Sequence, residues 1–204
     1  MTRRTRVHRA AVLDAACRVA DRDGFDAVTL ALVAAELDLH ASSLYNHVSG
    51  LDGLRKDITA IALAELSERL RDAVLGRGGA AGMRAIATAY RDYAATAPGR
   101  FHAATTWHLR CEWDEVQEAA QGGLRAIHAV ISSYGLEGAA LRHASRAYTA
   151  SLIGLIQSAG QAFTGPPDLE GTFDYLIMLF GDALAAGRWP ATQPSRRQPG
   201  QYNT

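Results

Sequence analysis

The chain reads as an all-α protein: nine helices, divided between a three-helix head and a larger helical bundle. Three observations predict that class. Apolar residues make up 48% of the 204 positions and recur at helical spacing through most long segments. Those segments lack the alternation of Val, Ile and Thr that a half-buried strand would show. Only six prolines occur, and Pro98, Pro166 and Pro167 fall where a helical pattern stops.

The bulk numbers also narrow the function. Charged residues make up 21% of the chain, with 21 basic and 21 acidic side chains and a formal net charge of zero. Such a chain is not disordered, and it is not coated with nucleic acid over its whole surface, though a local basic site stays open. No apolar run approaches the roughly 18 residues of a membrane span. The basic start, MTRRTRVHRAAVLDAAC, lacks the apolar core of a secretory signal. Cys17 and Cys111 sit in separate helical segments and read as reduced thiols of a cytoplasmic protein. There is no nucleophile motif, no glycine-rich phosphate loop and no frame of paired carboxylates, so neither an enzyme nor a cofactor is expected.

The first helix is expected from about Thr5 to Gly24. Val12, Ala16, Val19 and Ala20 give it one apolar face, and Gly24 ends it. Phe25 and Val28 anchor the connection to a second helix over about 30–37, capped by Thr29. Asp38, Leu39 and His40 make a tight turn into a third helix over about 41–48, with Leu39, Leu44 and Val48 pointing inward. Ser49 reads as the cap of a fourth helix, with Asp52 in its first turn. That helix reaches about Leu75, roughly 35 Å. Its apolar positions are Leu54, Ile58, Ile61, Leu63, Leu66 and Leu70. GRGGAAG, 76–82, reads as a loop and is the clearest break. A fifth helix over 83–97 stops at Pro98-Gly99, a sixth covers about 100–110, and a seventh covers 114–134. GLEG at 135–138 separates it from an eighth over 139–163. TGPP at 164–167 precedes a ninth over 169–186, with Phe173, Leu176, Ile177, Phe180 and Leu184 at helical spacing. Residues 1–50 form the arm and head, 51–187 the larger helical domain, and 188–204 a disordered tail rich in Pro, Gln, Ser, Arg and Gly.

Two short helices joined by a tight turn and packed on a longer one make a helix-turn-helix unit. The second helix of such a unit enters the DNA major groove. The side chains left free between Ala41 and His47 suit that task. Asn46 offers a donor and an acceptor to adenine, and Ser42 and Ser43 reach bases or phosphates. Tyr45 and His47 hydrogen-bond phosphate oxygens while their rings cover sugar. Ala41 lets the helix approach closely or touches a thymine methyl. Arg55, Lys56 and the arm residues Arg3, Arg4 and Arg6 supply sequence-independent attraction. The helix N-termini at Thr29 and Ser49 also suit phosphate. Helix pairs of this kind occur in proteins that never touch DNA, so a helical protein-interaction module is the alternative.

The stretch over about residues 8–56 resembles the DNA-binding domain of the TetR family of bacterial transcriptional regulators. The resemblance rests on Val28-Thr29, on LVAAELDL, on Leu44-Tyr45-Asn46-His47-Val48 and on Leu54. It implies that Tyr45 and His47 contact the DNA backbone and that positions 41, 42, 43 and 46 face the bases or their neighbours. Asp38 stands where the family usually has Gly, and His40 where it often has Ser. Leu51 stands where it often has a phosphate-binding Lys, so Arg55 or Lys56 would take over that contact.

The resemblance further implies a homodimer on a palindromic operator, held by the last two long helices, acting as a repressor released by a small-molecule effector. The eighth helix is apolar on more than one face, which calls for a second partner. The dimer candidates are Leu152, Leu155 and Ile156 with Phe173, Leu176, Ile177 and Phe180; a helix central in its own subunit would look the same. YRDYAATAPGRF, 90–101, resembles the family's fifth-to-sixth helix junction. Tyr90, Phe101, His102, Trp107, His108, Trp113, Tyr148 and Gln157 are the candidates for holding a largely apolar effector, plain core being the alternative. His108 and Cys111, with His102 nearby, are too few strong ligands for a metal site, and none is expected.

Overall fold

The computed structural model describes residues 8–107, 114–158 and 168–188. The arm residues Arg3, Arg4 and Arg6, the side chains of His108, Cys111 and Trp113, and the expected tail lie outside them. The described residues form nine helices and no strand: α1 (Arg9–Asp23), α2 (Leu30–Glu36), α3 (Ala41–Leu44), α4 (Gly50–Ala73), α5 (Gly79–Thr96), α6 (Pro98–Thr105), α7 (Asp114–Ser132), α8 (Gly138–Ser158) and α9 (Leu169–Ala185). A 3₁₀ turn at Phe25–Ala27 links α1 to α2.

The head is built on the apolar face of α1. Val12, Ala16, Val19 and Ala20 are all fully buried, joined by Phe25 and Val28. Gly24, at φ 95°, closes α1 by donating its N–H to the Ala20 carbonyl at 2.9 Å. Thr29 caps α2, its hydroxyl oxygen accepting from the Leu32 N–H at 3.2 Å. The far end of α2 is a Schellman turn. Leu39 N–H donates to Ala34 O at 2.8 Å, Asp38 N–H donates to Ala35 O at 3.2 Å, and Asp38 takes φ 54°.

α3 is shorter than its sequence predicts. Regular helix ends at Leu44, whose carbonyl accepts from both the His47 N–H at 2.8 Å and the Val48 N–H at 3.0 Å. Two donors on one carbonyl tighten the last turn, as often happens where a helix runs out of partners. Ser49 does not cap α4 with its side chain. Its backbone, at ψ 59°, departs from the extended conformation that aims a cap hydroxyl at the first turn.

α4 spans 24 residues, about 36 Å, and is the central rod. Leu54, Ile58, Leu63, Leu66 and Leu70 are buried, and α1, α5, α6 and α7 all pack on it. α7 comes close because Gly122 and Gly123 face Ser67. The Ser67 hydroxyl donates to Ala119 O at 2.8 Å and accepts from the Gly123 N–H at 2.9 Å.

α5 begins four residues earlier than expected, inside the glycine-rich stretch. Those glycines serve packing. A Cβ on Gly82 would stand 2.8 Å from Val130 of α7, and the Gly79 N–H donates to the Ser133 hydroxyl at 2.9 Å. α6 likewise begins early, at Pro98, whose ring suits a first helical position. The neighbouring Gly99 lies directly on α1, where a Cβ would be 1.9 Å from the Ala20 carbonyl oxygen.

Arg100 locks that junction. Its backbone N–H and its Nε bond the two carboxylate oxygens of Asp21 at 3.0 and 2.8 Å, and its Nη1 reaches both oxygens of Glu65 at 2.7 Å. Tyr93 adds a hydroxyl donated to Glu65 at 2.8 Å. α1, α4, α5 and α6 therefore meet on one ionic network. Beneath it the Cys17 thiol is pushed up to about 12 by burial, which keeps it protonated.

Candidate nucleic-acid interface

The α3 segment presents two unlike sides. Leu44 and Val48 are 0% and 6% exposed and seat it on the head's core. On the other side Tyr45 is 65% exposed, Ser42 and Asn46 are exposed, and Ala41, Ser43 and His47 are half-buried. Apart from Leu44, the positions from 41 to 47 thus stand together on one short segment clear of the core, although only 41–44 belong to regular helix. Arg9 braces it from α1, its Nε donating to the His47 carbonyl at 3.2 Å while its Nη2 pairs with Asp57 at 2.7 Å. Nothing in the spacing of the basic arm separates Arg9 from its neighbours; its bracing role depends on the fold.

The expected phosphate anchors near α3 are already engaged. Lys56 Nζ pairs with Glu115 of α7 at 2.8 Å and holds that carboxyl below its ordinary range. Arg55 is half-buried, with Nη2 donated to the Asp26 carbonyl at 3.1 Å. Arg55 ties α4 to the head and Lys56 ties α4 to α7, and each would have to leave its partner to reach DNA. Thr29 is exposed, with its hydroxyl spent on the α2 cap. Behind the head, Glu36 is held below the usual carboxylate range first by Arg22 and then by Arg18.

The body corrects several expectations. Leu152, Phe173 and Ile177 are 0%, 3% and 3% exposed within one chain, so they pack its own core and offer no surface to a second copy. Leu155, Ile156, Leu176 and Phe180 are half-buried. The exposed apolar side chains of α9 are instead Tyr175, Met178 and Leu179, at 61%, 49% and 48%. α9 is pinned to α5 by ion pairs between Arg84 and Asp174 and between Arg91 and Glu170.

A cavity of about 530 Å³ lies among α4, α5, α6, α7 and α8. Of the residues expected to hold an effector, Tyr90 lines it, buried enough that its hydroxyl is pushed well above its ordinary range. The other described candidates do not line it. Tyr148 is core, donating its hydroxyl to the Met83 carbonyl at 2.7 Å with its ring edge on Phe180. Phe101 packs edge-on to Tyr90 and Tyr93. His102 and Trp107 face the head, their rings 6.2 and 5.4 Å from Phe25. Gln157 is exposed and donates to the Thr106 hydroxyl at 3.0 Å. These residues share an aromatic or polar character, and helical phase sends them to different sides. The walls that the sequence left unmarked come from polar positions on α7 and α8, among them His128, Arg142, Ser145 and Arg146. Among the described residues no group of three or more His, Cys, Asp or Glu side chains could hold a metal ion. No described helix is long and apolar enough to cross a membrane.

A three-helix head with an exposed recognition turn, mounted through one long helix on an α-helical body, defines a helix-turn-helix regulator. Two family models match the chain. "Bacterial regulatory proteins, tetR family" covers residues 12–56, and "Tetracyclin repressor-like, C-terminal domain" covers residues 83–180. The HTH-type transcriptional regulator Rv0681 of Mycobacterium tuberculosis is 29% identical over 187 residues, 92% of this chain and 84% of its own. The HTH-type transcriptional regulator YobS of Bacillus subtilis is 36% identical over 93 residues, 46% of this chain and 49% of its own. In fold, the chain is similar to a TetR family regulator from Marinobacter aquaeolei VT8, with a TM-score of 0.66 at 18% identity, covering 86% and 94% of the two chains. It is similar also to Mycobacterium smegmatis BioQ, with a TM-score of 0.65 at 20% identity, covering 88% and 99%. The chain belongs to the TetR family and is a DNA-binding transcriptional regulator.

Proposed function

We propose that the protein is a cytoplasmic homodimeric repressor without enzymatic activity, which holds a palindromic operator and releases it when a small molecule fills the body cavity. The observation that carries this reading is the two-sided α3 segment, with Leu44 fixed in the core and Tyr45 standing out to solvent. Asn46, Ser42, Ser43 and Ala41 read base edges, while Tyr45, His47 and the arm residues Arg3, Arg4 and Arg6 bond the backbone. Arg55 and Lys56 serve first as struts and contact phosphate only on rearrangement. The dimer forms through α8 and α9, with Tyr175, Met178 and Leu179 at the centre and Leu155, Ile156, Leu176 and Phe180 beside them.

The release mechanism follows from α4. Leu63, Leu66, Ser67 and Leu70 line the cavity, and the N-terminal turn of the same helix adjoins α3. A molecule that prefers one position of α4 shifts the spacing of the two recognition segments. By linkage, operator DNA then weakens that molecule's binding by the same factor.

The double variant Tyr45→Ala/His47→Ala tests the interface. Operator affinity should fall at least tenfold while its salt dependence stays nearly unchanged, because the variant removes hydrogen bonds to phosphate and leaves in place the cationic side chains that release counterions. Size-exclusion chromatography should show an unchanged dimer. An intact footprint from the double variant would remove the groove assignment.

A further inference from the structure

We infer that the cavity among α4, α5, α6, α7 and α8 takes an amphipathic anion: an apolar body with a single carboxylate-type head held by Arg142 and Arg146 of α8. This rests on the reading of the cavity as an effector site and names the chemistry of what enters it.

The floor and the rim differ in character. Leu63, Leu66 and Leu70 of α4 and Ile127 of α7 supply apolar floor, and the volume of about 530 Å³ suits a small organic molecule. The polar lining carries one sign of charge. Arg142 and Arg146 both line the cavity, and among the described residues no Asp or Glu lines it. The two arginines stand one helical turn apart on α8, where like charges repel. Among the described residues neither forms an ion pair. Elsewhere on the molecule Arg9, Arg18, Arg22, Arg84, Arg91 and Arg100 are each paired with a carboxylate.

Ser145, between the two arginines, is the independent observation. It is 1% exposed, it lines the same cavity, and its hydroxyl has no hydrogen-bond partner among the described residues. A buried hydroxyl left unbonded is destabilising, so a ligand oxygen that accepts from it gains what the empty protein forgoes. Thr149 of α8 and His128 and Gln121 of α7 complete a donor-rich rim. Two guanidinium groups with adjacent hydroxyls match a carboxylate, which accepts several hydrogen bonds at once. An amine head would meet only like charge here, and a neutral alcohol would leave both arginines unpaired.

Isothermal titration of the full-length protein with octanoate, 1-octanol and octylamine tests this without DNA. The three share a chain length and differ in head charge. Octanoate should bind at least tenfold more tightly than octanol, and octylamine should not bind. In Arg142→Gln/Arg146→Gln the octanoate affinity should drop at least tenfold while octanol is unaffected. Both side chains are exposed, so the fold should persist, as an unchanged melting temperature without ligand will show. Ser145→Ala should weaken octanoate severalfold in a protein that keeps both arginines. Octanoate binding no tighter than octanol, absence of binding included, overturns the inference, as does undiminished octanoate binding by the double variant. Octanoate that binds selectively yet leaves operator affinity unchanged keeps the ligand class and removes the release mechanism instead.

Discussion

Asp38 occupies the backbone position on which the head's turn closes. At φ 54° it is the one non-glycine residue with positive φ among the described residues. Its N–H, with that of Leu39, satisfies the carbonyls left open at the end of α2. A left-handed conformation costs most L-residues about 1–2 kcal/mol, and Asp bears it better because its short side chain bonds locally. Asp38→Ala should therefore destabilise the protein by about 1 kcal/mol. Asp38→Gly should stay within about 0.5 kcal/mol of the parent, since the strain it relieves is offset by the greater freedom of glycine in the unfolded chain. Urea unfolding of the three proteins reads this directly; equal losses for Ala and Gly would show that the side chain, and not φ, matters. At this scale much was legible. A turn residue between two apolar helices, with Leu39 and Leu44 aimed inward, follows from spacing alone. The pairing of Lys56 with Glu115 was not legible, because 59 positions separate residues that only the packing of α7 on α4 brings together.

Between elements, the decisive contact is α6 on α1. Gly99 lets the two backbones touch, and Arg100 then bridges Asp21 of α1 and Glu65 of α4. Removing the guanidinium would leave two part-buried carboxylates facing each other. Arg100→Ala should lower the unfolding free energy by about 2–3 kcal/mol at neutral pH, in line with loss of charge-assisted hydrogen bonds. Arg100→Lys should recover only part of it, since an ammonium group cannot fork to two carboxylates. Denaturant midpoints at constant m-value measure both; a neutral Arg100→Ala would mean the network contributes nothing net. Pro98-Gly99 is visible in the sequence as a stop for α5. That the same pair starts α6 and forms its contact with the head is not visible there, because periodicity records which face of a helix is apolar and not which neighbour covers it. The glycine-rich 76–82 stretch misleads for the same reason: glycine marks a loop and a close helix contact alike, and Gly82 against Val130 is the second.

At the scale of the molecule, α9 shows where sequence patterning stops. Its apolar side chains surround the helix, so two partners are required, and the pattern cannot say which stripe meets which partner. Phe173 and Ile177 turn inward onto the chain's own core, while Tyr175, Met178 and Leu179 are left facing solvent. The cluster is contiguous on one helical face, at positions i, i+3 and i+4. Operator binding by a two-fold dimer joins two reading heads, so the second head binds intramolecularly once the first has docked. Leu179→Glu places a charge in the middle of that face without touching the subunit's core. The variant should run as a monomer by light scattering with helical content unchanged. Its affinity for the full palindrome should fall by about 10² or more, the factor that tethering contributes, while its affinity for a single half-site stays near that of one head of the parent protein. A Leu179→Glu protein that remains dimeric would move the interface elsewhere on the body. One that is monomeric yet binds the palindrome as tightly as before would show that each head reads DNA alone. In that case a cavity among α4, α5, α6, α7 and α8 could not act by respacing two heads, and release would have to come from α4 displacing α3 within a single chain.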